Sequence, residues 1–247
     1  MKISTICVSW NAAKTIRFTI DSFLKQSHPD KELIVVDGIS TDGTLDIVRS
    51  YNSPSIHLHI GKDKGIYDAM NKGLALYSGD AVGFLNSDDA YHDPESLGLI
   101  SCALENAQMV SGHVNLVPDH LSGKVAWVRK ATTYQTGAFQ KNWVLPHPST
   151  YARRSVYDSV GSFDIRYRMA ADYDWILRAI EIHKFECVVL DKVLVDMQAG
   201  GLSNSGFKAS ITNIKETLRS RQKWLGSGFV DRAVFERVWG RVRRILG

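Results

Sequence analysis

The sequence predicts an α/β fold, with a mostly parallel sheet flanked by helices and a helical extension at the C-terminal end. Three observations carry this. Apolar runs of strand length alternate with amphipathic segments through the first third of the chain. The runs, such as ELIVVD at residues 32–37 and AVGFL at residues 81–85, lack the polar alternation of a sheet with one wet face. That pattern belongs to strands covered on both sides. Finally, polar residues cluster where each run ends, and ligands of open parallel sheets bind beyond the carboxyl ends of the strands.

The elements follow in order. Ile3–Trp10 (ISTICVSW) reads as a strand, and Ala12–Lys25 as a helix with Ile16, Ile20, Phe23 and Leu24 on one face. Glu32–Asp37 is the second strand, followed by a helix from Asp42 to Tyr51. Between them, GISTDGT at residues 38–44 combines two glycines with capping residues, and a cap of this kind is worth about 1 kcal/mol. Ile56–Ile60 and Ile66–Tyr77 are the third strand and helix. Ala81–Leu85 is the fourth strand, too short for a helix and closed by Ser87, Asp88 and Asp89.

Beyond Asp89 the alternation breaks down, which implies a mixed or antiparallel edge. A helix is expected from Asp93 to Asn106 with Pro94 in its first turn, then strands at Met109–Val117 and Val125–Val128. Thr132–Val144 reads as an aromatic loop, Pro146–Tyr151 as a strand and Arg153–Tyr157 as a short helix. Ala170–Arg178 is a helix buried through Trp175 and Ile176, with Asp172 at its start, where an Asp serves as a cap or accepts a proton. Glu186–Val195 is the last strand, and residues 200–206 (GGLSNSG) have the composition of an active-site cover. Residues 1–206 are therefore expected to form the main domain, in two halves, the regular one at 1–90 and the less regular one at 91–206. Residues 207–247 form the extension.

Composition bounds the function. With 247 residues and 44% hydrophobic content the chain can bury a substantial core. Cys7, Cys102 and Cys187 lie far apart, so neither a disulfide framework nor a zinc site is suggested, and a reducing compartment is expected. No secretion signal opens the chain and no apolar run is long enough to span a bilayer. The formal charge of +4 is unevenly placed: from Lys215 onward nine Lys or Arg face three Asp or Glu, leaving residues 1–214 at −2. Nucleic acid is not an expected partner. Within the extension, Phe229–Gly247 sets Val230, Val234, Val238, Val242 and Ile245 at helical spacing among five arginines. A basic amphipathic helix can lie on an anionic membrane, dock on its own domain, or pair with a second subunit in a homodimer.

The chemistry centres on Ser87-Asp88-Asp89. Clustered hydroxyl and carboxylate oxygens are the ligands of a hard divalent cation that shares its remaining positions with water and phosphate, although Asp also favours turns for local hydrogen bonds. Asp63-Lys64-Gly65 opens a helix, and a helix N-terminus beside a Lys favours phosphate. His147, between two prolines, suits a packed turn better than a ligand site.

In this order and spacing, SWN, ELIVVDGISTDGT, DKGIYDAMNKG, GDAVGFLNSDD and GSFD…ADYDWILR resemble glycosyltransferase family 2, inverting nucleotide-sugar enzymes of the GT-A fold. The resemblance covers residues 2–205, is strongest to bacterial enzymes of colanic acid, O-antigen or capsule synthesis, and implies a nucleotide-binding half at 1–90 and an acceptor-binding half at 91–206. It implies donor binding by Trp10, which would cover the base, with Asn11, Asp37, Asp63, Lys64, Asn71 and Asp88. It implies Mn2+ or Mg2+ held by Asp89, and Asp172 as the catalytic base. The donor is expected to be a UDP-sugar and the acceptor a glycan or polyprenyl-linked saccharide. The enzyme is then expected in the cytoplasm, peripheral on the cytoplasmic face of the inner membrane. The chain departs from the common family pattern at Gly38 and Ala171, where acidic residues usually stand. Those departures leave an inactive nucleotide- or glycan-binding relative as an alternative. A sugar-phosphate nucleotidyltransferase is another, disfavoured because residues 9–14 lack a glycine-rich basic loop.

Overall fold

In the computed structural model, residues 1–141, 143–200 and 207–226 are described. The first third folds as expected. Strands β1 (Ile3–Ser9), β2 (Lys31–Asp37), β3 (Ile56–Ile60) and β4 (Ala81–Phe84) run parallel, with Ile3 of β1 in register with Lys31 of β2 and Ala81 of β4. Helices α1 (Ile16–Leu24), α2 (Thr44–Ser50) and α3 (Ile66–Leu74) connect them. Because successive residues of a strand face opposite ways, β1 and β2 feed two cores. Ile6, Val8, Ile34 and Val36 enter one, with Met70, Phe84, Phe163 and Trp175, while Ile3, Cys7, Leu33 and Val35 enter the other, with Ile16, Phe23 and Leu97.

The second half extends the sheet. It adds β5 (Asp89–Tyr91), α4 (Ser96–Asn106), β6 (Met109–Val117), β7 (Trp127–Arg129), β8 (Tyr151–Arg153), α5 (Arg154–Val160), α6 (Ala171–Leu177) and β9 (Cys187–Gln198). The strand order is β3-β2-β1-β4-β8-β6-β9-β5, with β7 on β6. Strand β8 is antiparallel to both β4 and β6, and β5 is antiparallel to β9, so the mixed edge predicted beyond Asp89 is present. The last helix among the described residues, α7 (Phe207–Leu225), packs against α6. Among the described residues no helix is long and apolar enough to cross a membrane.

Several expectations need correction. Pro146–Tyr151 is not a strand: His147–Ser149 forms a single 3-10 turn, closed by the Ser149 and Thr150 hydroxyls on the Pro146 carbonyl, and pairing begins only at Tyr151. The strand expected at Val125–Val128 is Trp127–Arg129, and that expected at Glu186–Val195 runs from Cys187 to Gln198, where its far end pairs with β5. The first and fourth helices begin at Ile16 and Ser96, later than Ala12 and Asp93. The aromatic loop is packed rather than open, with Phe139 fully buried edge-on to Trp143 and Tyr173. Beyond Gly200, the cover expected at residues 200–206 lies outside the described residues, as does the helix expected at residues 229–247.

Candidate active site

Strands β1 and β2 end side by side, and their polar ends are hydrogen-bonded to each other. Ser9 donates its hydroxyl to Asp37 at 2.7 Å, and Ser40 donates both its N–H and its hydroxyl to the same carboxylate, each at 2.7 Å. Asp37 is fully buried, so its carboxylate serves to fix the turn after β2. Asn11 accepts the N–H of Thr41 at 2.9 Å, and Ala12 and Ala13 donate to Thr44 and Asp42. These contacts zip residues 11–13 onto residues 40–44 and leave the Trp10 indole 70% exposed beside Gly38. An exposed, anchored indole is a surface on which a flat ring can stack.

Asp63 approaches the same place from β3. One of its oxygens accepts the N–H of Gly65 at 2.9 Å, and the other lies 2.7 Å from where a side chain on Gly38 would begin. Lys64 is exposed at the rim. Asn71 does not join the group: its amide donates to the Phe163 carbonyl and accepts the Phe163 N–H, both at 2.9 Å, tying α3 to the segment before α6.

The paired carboxylates follow β4. Asp89 opens β5 and is 1% exposed, accepting the N–H of Gln198 at 3.3 Å. Asp88 is only partly buried, and its carbonyl contacts the His120 ring at 2.8 Å. Of the two, Asp88 is thus the more open to the crevice, although Asp89 was the expected metal ligand. Burial raises the affinity of both carboxyls for a proton, and the neighbouring Asp88 charge raises that of Asp89 further. The Cys7 thiol is pushed well up by burial, then by Asp88, Asp89 and Asp37, so all three acids lie near β1. The Asn86 side-chain oxygen is buried there with no protein partner. Among the described residues no three potential metal-ligating side chains converge on one point.

Asp172 occupies the second position of α6 rather than its cap, which is Ala170. Its carboxylate accepts the Tyr67 hydroxyl at 2.9 Å. Burial, then the Asp172 charge, hold the Tyr67 phenol well above its ordinary pKa, so it stays a donor. The His147 ring stacks on Phe84 at 5.2 Å and meets Phe163 edge-on at 5.8 Å, as a packed residue should, yet its Nε2 is buried without a partner. Burial lowers its pKa, Asp172 opposes this and Arg129 reinforces it, which favours the neutral ring. Since Phe84 ends β4 and Asp88 follows four residues later, the surroundings of Asp172 and the carboxylate pair are built on one strand end. Sequence reasoning missed Tyr67 and Arg129 as neighbours of Asp172. Their only signal was the position of Tyr67 between Asp63-Lys64 and Asn71; Arg129 had none.

With this geometry in place, comparison with known proteins is informative. A PGL/p-HBAD biosynthesis glycosyltransferase of Mycobacterium bovis is 28% identical over 218 residues, covering 82% of this chain and 79% of that one. The putative teichuronic acid biosynthesis glycosyltransferase TuaG of Bacillus subtilis is 41% identical over 92 residues, 36% of each chain. Among solved structures, S. aureus TarS 1-349 in complex with UDP-GlcNAc superposes with a TM-score of 0.69 at 21% identity, over 90% of this chain and 67% of that one. The mannosyltransferase PcManGT from Pyrobaculum calidifontis, in complex with GDP-Man and Mn2+, gives 0.67 at 17% identity, over 94% and 66%. These likenesses show a GT-A fold. The profile of glycosyl transferase family 2 matches residues 4–161, most of the chain, and the protein belongs to that family.

Proposed function

We propose that the protein is an inverting glycosyltransferase that moves a sugar from a UDP-sugar to a hydroxyl of a glycan or lipid-linked saccharide in cell-envelope synthesis. The observation that carries the reading is geometric: two adjacent carboxylates after β4, Asp88 and Asp89, beside the buried unpartnered Asn86 oxygen, and a separate carboxylate on α6, Asp172, that accepts the Tyr67 hydroxyl. The nucleotide-sugars bound by TarS and PcManGT support the donor class, and the names of the mycobacterial and Bacillus relatives support the acceptor class.

The residues present fit a divalent cation. Two adjacent carboxylates whose burial disfavours their charge, beside the buried unpartnered oxygen of Asn86, form an all-oxygen, hard donor set of the kind Mg2+ and Mn2+ take. Asp88 and Asp89 would hold the ion, which when bound neutralises charge developing on the departing diphosphate. Trp10 stacks on the base, a contact worth about 1 to 3 kcal/mol in comparable settings, and Asp63 and Lys64 lie at the ribose and diphosphate. Asp172 takes the proton of the acceptor hydroxyl as that oxygen attacks the anomeric carbon from the face opposite the diphosphate. Tyr67 keeps its own proton and aims the Asp172 carboxylate. A single displacement inverts the configuration, so no serine or cysteine nucleophile is needed.

Sugar transfer from a UDP-sugar, measured with Mn2+ and after chelation, tests the assignment in wild type and Asp172→Asn. Transfer should need the metal, and Asp172→Asn should lower kcat by roughly 10²- to 10⁴-fold while UDP binding is kept. Near-normal turnover by folded Asp172→Asn would remove Asp172 from the mechanism.

A further inference from the structure

Helix α6 carries the proposed base on its first turn and has no cap of its own. Its N-cap is Ala170, whose side chain offers no acceptor. The leading N–H groups of a helix need partners from elsewhere. The segment that leads into α6 is held instead by a carboxylate 46 residues beyond Ala170, on α7. The Glu216 carboxylate accepts the N–H of Arg168 through both oxygens at 2.9 and 3.0 Å, that of Met169 at 2.8 Å and that of Ala170 at 3.1 Å. Asn213 donates to the Met169 carbonyl at 3.0 Å. Three successive N–H groups thus converge on one carboxylate, immediately before the turn that bears Asp172.

The helix that supplies Glu216 is itself held firmly. Ser220 and Trp224 donate to one oxygen of the fully buried Asp174 at 2.8 and 2.9 Å, while Arg178 donates to the other at 2.9 Å. Arg221 donates to the Tyr173 hydroxyl at 3.0 Å. Glu216, Ser220 and Trp224 recur every fourth residue, so they form one stripe along α7 facing α6. The stripe is polar and charge-assisted, and it engages the chain on both sides of Asp172, at residues 168–170 and at Asp174.

We propose that Glu216 is a positioning residue for the reaction: by gathering the N–H groups of residues 168–170 it sets where α6 begins, and so where the Asp172 carboxylate points against Tyr67. Helix α7 is then part of the apparatus that positions the base. This rests on Asp172 being the base.

The test is a double-mutant cycle in the full chain, with kcat, donor KM and UDP affinity measured for Glu216→Ala, Glu216→Gln, Asp172→Asn and the double variant Glu216→Ala/Asp172→Asn. Glu216→Ala should lower kcat by roughly 10- to 100-fold, the order that an ångström of misplacement costs. Donor KM and UDP affinity should stay within about twofold, because the nucleotide-binding strand ends are untouched. Glu216→Gln, which keeps an acceptor oxygen, should recover most of the loss. In the Asp172→Asn background, adding Glu216→Ala should cost less than about twofold, since the carboxylate it positions is already gone. A folded Glu216→Ala with wild-type kcat, or a full additional loss in the double variant, would overturn the proposal while leaving Asp172 as the base. Wild-type turnover by Asp172→Asn would instead overturn the base and the proposal together. Glu216→Gln also covers the case in which Glu216→Ala fails to fold: if it folds but is as slow as Asp172→Asn with weakened UDP binding, Glu216 has a general structural role and the proposal fails.

Discussion

Gly38 stands where the family pattern usually places an acid, and the geometry shows what the missing side chain allows. A Cβ there would lie 2.7 Å from an Asp63 oxygen and 3.4 Å from the Trp10 indole. The bare backbone lets Asp63 lean across the end of β2, so a carboxylate reaches this corner from the third strand. Gly38→Ala should therefore disturb the donor site more than the fold. The atom in the way is the free end of a flexible side chain, so stability should change by less than about 1 kcal/mol. The displaced Asp63 should weaken UDP binding several-fold, read by titration calorimetry beside a thermal melt; unchanged affinity would mean that Asp63 does not touch the nucleotide. Some of this corner could be read from the residues alone. Trp10, Asp63, Lys64 and Asp88 stand at strand ends as their positions implied. Asn11 and Asp37 stand nearby but are engaged in loop contacts, Asp37 because a buried carboxylate needs hydrogen-bond partners, while Asn71 lies apart, tied to Phe163.

At the scale of elements, β1, β2 and the turn before β4 are stapled by one buried acid. Glu32 is 4% exposed and accepts hydrogen bonds from Ser4 at 2.6 Å and from the Ser78 N–H and hydroxyl, both at 2.7 Å, while Lys2 pairs with it at 2.6 Å. Burial alone would raise its pKa, but the bonds from Lys2, Ser4 and Ser78 prevail and bring it down from 4.5 to about 2. A carboxyl depressed by folding stabilises the native state above its ordinary pKa, and that contribution is lost as the pH falls through its folded value. At about 1.4 kcal/mol for each tenfold in proton affinity, the contribution is about 3 kcal/mol. Between pH 4.5 and pH 2, urea unfolding should show Glu32→Gln losing less stability than wild type by about this amount. Parallel slopes would show that Glu32 does not couple to acid unfolding. This staple had no signature in the pattern of apolar residues, whereas β1 to β4 were legible because strands buried on both faces are written as apolar runs. Strand β5 was hidden for the opposite reason, since Ser-Asp-Asp reads as a turn until β9 arrives to pair with it. The carboxylate that holds the segment entering α6 was hidden by distance and by chemistry: Glu216 lies on another helix, and a polar stripe leaves no hydrophobic period to find.

Over the whole molecule, the C-terminal region carries two separable features. Residues 207–225 form α7, whose polar stripe engages α6, so shortening the chain into this helix should disturb the catalytic side. Residues 229–247 differ in kind: their pattern sets valines and Ile245 at helical spacing among Arg232, Arg237, Arg241, Arg243 and Arg244. Such a segment binds anionic bilayers through buried apolar area together with attraction to the headgroups, each basic residue near the surface adding about 1 kcal/mol. An acceptor carried on a lipid would make this contact useful, because it keeps the site at the surface where the acceptor lies. Deleting residues 229–247 should therefore sharply reduce co-sedimentation with vesicles containing phosphatidylglycerol, and raising the salt should weaken binding of the intact chain in the same direction. The deletion leaves Glu216, Ser220 and Trp224 in place, so turnover of a water-soluble acceptor should stay within about twofold of wild type, while a lipid-linked acceptor in vesicles should be used far more slowly. Equal sedimentation of the two forms would assign bilayer contact to another surface, and loss of soluble turnover would show that residues 229–247 also support α7.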